Sequence, residues 1–215
     1  MRKILVTMLL LTAVSLFAQE KAVVMEISGK VEVKRPGEGW IPATLAQEIR
    51  NGDTISTGFN SFLVLELSNS RIQMKPLSRL TLDELVKSEG TTKTAVSLRV
   101  GRVRVQVDKA EGLSHDFTVK TPVSTAAVRG TEFDFDGVRL KVLNGVVAFS
   151  NRQGQRRSIA GGESSSLSGS SAPEAPEEVA LAETTTVITT AGDEAPTGGG
   201  GAKPSSGGSI VVRIQ

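Results

Sequence analysis

From Ala22 to Leu167 the apolar residues return at every second position rather than every third or fourth. Short runs such as KVEVK, SFLVLEL, RVRVQV, EFDF and VRLKV are separated by Gly, Pro, Asn and Asp. A helix keeps an apolar stripe with a repeat near 3.6, whereas a half-buried strand needs a repeat of two. The pattern therefore predicts an all-β body, a jelly-roll-like or rolled two-sheet β-sandwich of many short strands. Aromatic residues are only 4% of a chain that is 39% hydrophobic, so the core must rest mainly on Val, Leu and Ile.

Two dipeptides set out hairpins in detail. Asp136-Gly137 and Asn144-Gly145 are two-residue loop signals whose residues accept positive φ. A loop at the first sets Phe135 against Val138, Phe133 against Leu140, Thr131 against Val142, Asp134 against Arg139 and Glu132 against Lys141. A loop at the second sets Leu143 beside Val146 and Val142 beside Val147, giving three consecutive antiparallel strands. Between Val100 and Val103 the apolar phase slips by one, and a turn or bulge at Gly101 returns Val103, Val105 and Val107 to the core.

The two ends read differently from the body. Arg2 and Lys3 precede a 14-residue apolar run, Ile4 to Phe17, which fits a secretory signal over residues 1–18 and falls short of the ~20 residues of a membrane span. Cleavage after Ala18 or after Ser15 then leaves 23 basic and 23 acidic residues. The expected location is periplasmic or otherwise extracytoplasmic, with no membrane span after signal cleavage. Residues 19–167 form the β domain. In residues 163–215, Gly, Pro, Ser and Thr supply 27 of 53 positions, so residues 168–208 read as a disordered low-complexity linker. Residues 209–215 read as a short strand whose Ile210, Val212 and Ile214 share one face, suited to strand addition on a sheet edge.

Little catalytic chemistry is on offer. There is no Cys and one His, His115, which removes disulfides, thiol nucleophiles and the Cys-rich or two-histidine zinc sites. No catalytic residue, cofactor or metal is expected. Glu132, Asp134 and Asp136 share one strand face, and an envelope polysaccharide-processing hydrolase built on such a carboxylate pair is the alternative function. The basic residues expected across the ladder favour ordinary sheet pairing instead. Ser114, His115 and Asp116 are consecutive and so cannot converge as a triad; they read as a polar turn. Arg99, Arg102, Arg104, Arg129, Arg139, Arg152, Arg156 and Arg157 have no aromatics interleaved, which suggests a solvated basic face and no nucleic-acid partner. Trp40, the only Trp, follows a PGEG turn and serves as a core cap or as a binding anchor at the rim.

The stretches IRNGDTISTGFNSFLVLELSNSRIQMKPLSRLTL, LRVGRVRVQV, FTVKTPVSTAAVRGTEFDF and VLNGVVAF together resemble the FecR domain family, from about Ile27 to Leu167. The pairing of NGDTISTG with TPVSTAAVRGTEF is the specific part. The resemblance implies an exported β module without catalytic activity, acting as an interaction or regulatory element toward an envelope protein or polymer. Family members that regulate ferric citrate uptake span the inner membrane and relay receptor occupancy to a sigma factor. This chain departs from them in lacking the cytoplasmic helical segment, the span and the receptor-contacting C-terminal domain, so transmembrane signalling is not expected. Within the match, Gly52 and Asp53 read as a turn whose carboxylate bonds local backbone, and Gly130 and Thr131 as a structural motif. Arg129 is expected to clamp backbone carbonyls or Asp53, or to face a ligand, since its guanidinium fork suits carboxylates.

Overall fold

The computed structural model describes residues 21–88, 91–108 and 114–176, all within the first of two compact units, 1–185. The expected signal, residues 1–18, and the expected strand with Ile210, Val212 and Ile214 lie outside the described residues. Among the described residues no helix is long and apolar enough to cross a membrane.

The chain is nearly all strand. In order these are β1 (Ala22–Ser28), β2 (Val31–Lys34), β3 (Trp40–Pro42), β4 (Glu48–Ile49), β5 (Thr54–Thr57), β6 (Phe62–Leu67), β7 (Ser70–Met74), β8 (Arg79–Ser88) and β9 (Thr91–Val100). There follow β10 (Val103–Val107), β11 (Ser114–Lys120), β12 (Ser124–Val128), β13 (Glu132–Phe135), β14 (Arg139–Asn144), β15 (Val146–Asn151), β16 (Arg156–Ala160) and β17 (Ser164–Ser166). They form two sheets. The first has the order β17-β14-β13-β10-β7-β6-β1-β4, and the second β16-β15-β12-β11-β9-β8-β5-β2-β3. Both orders follow the sequence almost without interruption, because the chain adds one or two strands to one sheet and then crosses to the other. β9 and β11 pair in parallel, with Phe117 beside Thr94, because the intervening β10 runs in the opposite sheet and returns the chain to its original direction.

The period of two dictates the core. On β6 Leu63, Leu65 and Leu67 are fully buried, as are Val103 and Val105 on β10 and Phe133 and Phe135 on β13. All belong to one cluster shared by both sheets. Phe135 of the first sheet meets Phe149 of the second edge-to-face, with ring centroids 5.8 Å apart. Such a pair adds about 0.5–1.5 kcal/mol beyond its burial. The phase slip at Gly101 is a turn: φ is +94°, and the chain leaves β9 there to enter β10 in the other sheet.

Several expectations need correction. β13 and β14 do form a hairpin, but its loop is Gly137-Val138, since Asp136 N donates to Arg139 O at 3.2 Å. Asp136 Oδ1 accepts from Val138 N and Arg139 N at 3.0 and 2.7 Å, and Gly137 supplies a φ of +93°. Phe133 therefore faces Val142, Phe135 faces Leu140 and Asp134 faces Lys141. Moving the loop by one residue shifts every partner by two, which preserves parity, so the apolar set stays inside. The turn at Asn144-Gly145 makes no hairpin: β14 pairs with β13 and β17, whereas β15 pairs with β12 and β16 in the other sheet. Ser114, His115 and Asp116 are not a turn but the start of β11, with His115 buried and its Nε2 3.0 Å from Thr94 Oγ1. Residues 168–174, expected in the linker, are tied to the body. Asn151 Nδ2 donates to Ser170 O and Ser171 O, Arg157 Nε to Pro173 O, and Glu174 N to Ser166 O, so residues 168–176 lie on the β16 and β17 end of the body.

Candidate functional site

The carboxylates of β13 sit on the outer face of the first sheet, and their partners come from strands far away in sequence. Arg104 on the adjacent β10 reaches Asp134 in a bidentate pair, Nε to Oδ1 at 2.9 Å and Nη2 to Oδ2 at 2.7 Å. These hydrogen bonds hold the Asp134 carboxyl below the usual carboxylate range, against the opposing effect of burial. Arg102 lies 3.9 Å from Asp136, and on the neighbouring strands Arg71 lies 3.8 Å from Glu66. The face is a ladder of opposite charges, enclosing a shallow hollow of about 520 Å³ that includes Met25, Gln73 and Arg104. A glycosidase acid needs a raised pKa, the reverse of what Arg104 imposes on Asp134. Among the described residues no group of three or more His, Cys, Asp or Glu is arranged to hold a metal.

The residues matched to the family motif hold crossings together. Arg50 N donates to Asp53 Oδ2 at 2.9 Å, while Gly52 N and Asp53 O bond the two backbone groups of Leu82. Asp53 is buried, and Gly52 has φ +92° with room for no Cβ, which would stand 2.9 Å from Pro36 Cγ. At the opposite crossing Thr131, also buried, places its hydroxyl 3.1 Å from Val146 O and 3.2 Å from Arg129 O. Gly130 has φ +58°, and a Cβ on Gly145 would lie 2.7 Å from Thr131 Oγ1 and 2.8 Å from Gly130 O. The RGT segment is thus tied against the arch that carries the chain from β14 to β15.

Among the described residues Arg129 holds neither Asp53 nor a backbone carbonyl. Its Nε donates to Asp116 Oδ1 at 2.8 Å on the outer face of the second sheet, an exposed pair beside a hollow of about 420 Å³. The arginines read as one basic face are in fact dispersed: Arg102 and Arg104 pair with carboxylates on the first sheet, Arg129 on the second, and Arg157 bonds the returning chain.

Trp40 is different. It opens the edge strand β3 opposite Lys34 and is 39% exposed, so it caps no core. Arg79, at the start of β8, lays its guanidinium 5.3 Å from the Trp40 ring centroid. With Lys34, Arg35, Pro36, Gly52, Thr54 and Arg99 these two residues line a cavity of about 300 Å³. Four cations surround it, no carboxylate lines it, and none of the four forms an ion pair among the described residues. Arg35 also buries its Nε without a hydrogen-bond partner there. Sequence reading offered Trp40 as a binding candidate, Gly52 as a turn residue and Arg99 as part of a solvated basic face, and did not join them into one site. Lys34 was within reach, because it flanks the same turn, but Arg79 and Arg99 come from other strands with no spacing to reveal them.

Residues 53–148 match the model of the family described as FecR protein, so the resemblance holds over that stretch, which includes Asp53, Arg129, Gly130 and Thr131. None of the curated proteins matches the chain. Two crystal structures of a candidate anti-sigma factor from Parabacteroides distasonis ATCC 8503 are similar in fold. The first is 14% identical with a TM-score of 0.47, covering 59% of this chain and 62% of that one. The second is 12% identical with a TM-score of 0.46, covering 61% and 65%. The chain thus spans less than two thirds of either.

Proposed function

We propose that this chain is an exported, non-catalytic regulatory or interaction module that holds an envelope partner on the Trp40 corner. The FecR match supports a module of regulatory kind. The observation that carries the choice of surface is the contrast in charge pairing. Asp134 and Asp136 are engaged with arginines, whereas the corner's cations have no carboxylate beside them. Unpaired cations around a half-exposed aromatic are suited to recognising an anionic partner. The apolar run at the N-terminus supports an extracytoplasmic location.

The experiment is site-directed photo-cross-linking in intact cells, with the cross-linker at Ile41 beside the corner and, as a control, at Gln73 on the charged ladder. A discrete adduct from Ile41 and none from Gln73 is expected. Adducts from Gln73 alone would move the contact to the first sheet, and turnover of an envelope polysaccharide abolished by Asp134→Asn would restore the hydrolase reading.

A further inference from the structure

The hollow at Trp40 is small and heavily cationic, and both properties restrict what enters it. We infer that it is a binding site for a phosphate group carried on a lipid headgroup or on a soluble sugar. The inference rests on the corner being the contact surface and adds the chemistry of what it contacts.

Four cations, Lys34, Arg35, Arg79 and Arg99, line about 300 Å³ without a carboxylate among them. Like charges gathered this way repel one another, and a folded body retains them at a cost that an anion would remove. The donors are in place. Arg79 places its Cζ over the Trp40 ring, 5.3 Å from the centroid, and its guanidinium forms no ion pair among the described residues, which leaves N–H groups for an anion. Arg35 Nε is buried without a protein acceptor among the described residues, a condition that costs free energy unless something else accepts from it. The Thr54 hydroxyl, 2.9 Å from Thr81 Oγ1, adds a neutral group at the same wall. Gly52 keeps that wall open at the floor, because any side chain there meets Pro36.

The size of the hollow distinguishes phosphate from an acidic peptide. Along an extended peptide, carboxylates on one face are about 7 Å apart and carry one charge each, so a cavity of this volume receives about one of them. A phosphomonoester brings roughly −1.5 to −2 charges and three acceptor oxygens on one atom. That matches several guanidinium forks converging on a single point.

Trp40 is the only Trp and the chain has no Tyr, so intrinsic fluorescence reports this corner alone. The full chain is titrated at constant ionic strength with inorganic phosphate, glucose 6-phosphate, phosphatidic acid vesicles, phosphatidylcholine vesicles, and a peptide of residues 174–194, which carries acidic residues of the chain's own tail. Saturable change with phosphate or glucose 6-phosphate is expected, with Kd raised about tenfold in Arg35→Gln or Arg99→Gln, as loss of one charge-assisted hydrogen bond implies. Change with phosphatidic acid vesicles alone, lost in the same variants, assigns the lipid source. A melting temperature in each variant no lower than that of the wild type shows that the fold is intact. The inference is overturned by no response to any phosphate-bearing probe, by an equal response to chloride, by an undiminished response in both variants, or by tighter binding of the peptide than of phosphate. A corner that cross-links in cells yet ignores phosphate overturns the phosphate assignment alone; one that does neither overturns the contact surface as well.

Discussion

The outer face of the first sheet and the Trp40 corner of the second are both rich in arginine, yet they treat charge in opposite ways. On the first sheet the cations sit on adjacent, well-registered strands, so a carboxylate directly across the ladder is within reach: Arg104 finds Asp134 and Arg71 finds Glu66. At the corner the strands are short, β3 with three residues and β5 with four, and the positions that converge there include Lys34, Thr54, Arg79 and Trp40. Among the described residues the corner's cations make no ion pair, and Arg79 instead lies over the Trp40 ring. Internal pairing makes a surface self-sufficient, and its absence leaves one that is completed from outside.

The comparison can be broken most forcefully through β13, whose two sides belong to different environments. Phe133 faces the core with no exposure, so Phe133→Ala should cost ~3–5 kcal/mol in denaturant unfolding. Asp134→Asn, one residue away on the charged ladder, should cost about 1 kcal/mol or less. If Asp134 proved the costlier position, the ladder would be a buried network and its contrast with the corner would fail. Next in size is Gly145→Ala, which forces a Cβ into the backbone of Gly130 at a φ of +88°. A loss of ~2–3 kcal/mol is expected from overpacking and backbone strain together, read from the same denaturant midpoints. A smaller loss than that of Asp134→Asn would show that the arch between the sheets adjusts freely.

These positions also show which parts of the molecule could be read from residues alone. Alternation is local, so the inward set was legible: Phe133, Phe135, Leu140 and Val142 are all buried although the predicted partners were displaced. Turn chemistry is local as well, and Gly137 and Gly145 both take positive φ. What a turn residue does not specify is whether the chain folds back in the same sheet or crosses to the other, because φ at one position is compatible with both. For that reason Asn144-Gly145 reads as a hairpin and proves to be an arch. Long-range pairings were hidden for a related reason. Arg104 and Asp134 are brought together by the pairing of β10 with β13, which are not consecutive, and Arg129 meets Asp116 rather than Asp53 because β11 and β12 are neighbours. The Trp40 corner needed the order of five strands before its charges could be counted together.

The ladder half of the comparison is sharpened by a double-mutant cycle on Arg104→Ala and Asp134→Ala. A coupling of about 0.5–1 kcal/mol is expected for a bidentate pair that remains partly solvated. Its pH dependence has a definite sign. Arg104 depresses the Asp134 pKa in the folded state below its ordinary value of 3.8, so the pair's contribution is fully present above that value and fades as pH falls through the lower folded pKa. In Arg104→Ala this acid-side loss of stability should shrink. An unchanged acid limb would mean that other carboxylates govern it and that the pair is ornamental.

The smallest effect tests the corner half and is expected to have the opposite sign. Arg99 lines the Trp40 cavity beside three other cations and has no ion-pair partner among the described residues. Arg99→Gln keeps most of the side-chain length and removes one of four like charges. In the absence of ligand it should therefore stabilise the protein by a few tenths of a kcal/mol at low ionic strength, where exposed charges still interact over distances on the order of 10 Å or more. Added salt screens the repulsion, so the gain should vanish at about 1 M, where the screening length is near 3 Å. Asp134→Asn gives the matching control: its loss should also shrink with salt, but from the destabilised side. Two variants converging on the wild type from opposite directions as salt rises would establish that one arginine-rich surface is satisfied from within and the other is not. A destabilised Arg99→Gln would instead place an attractive partner on Arg99, and the corner would then be as self-contained as the ladder.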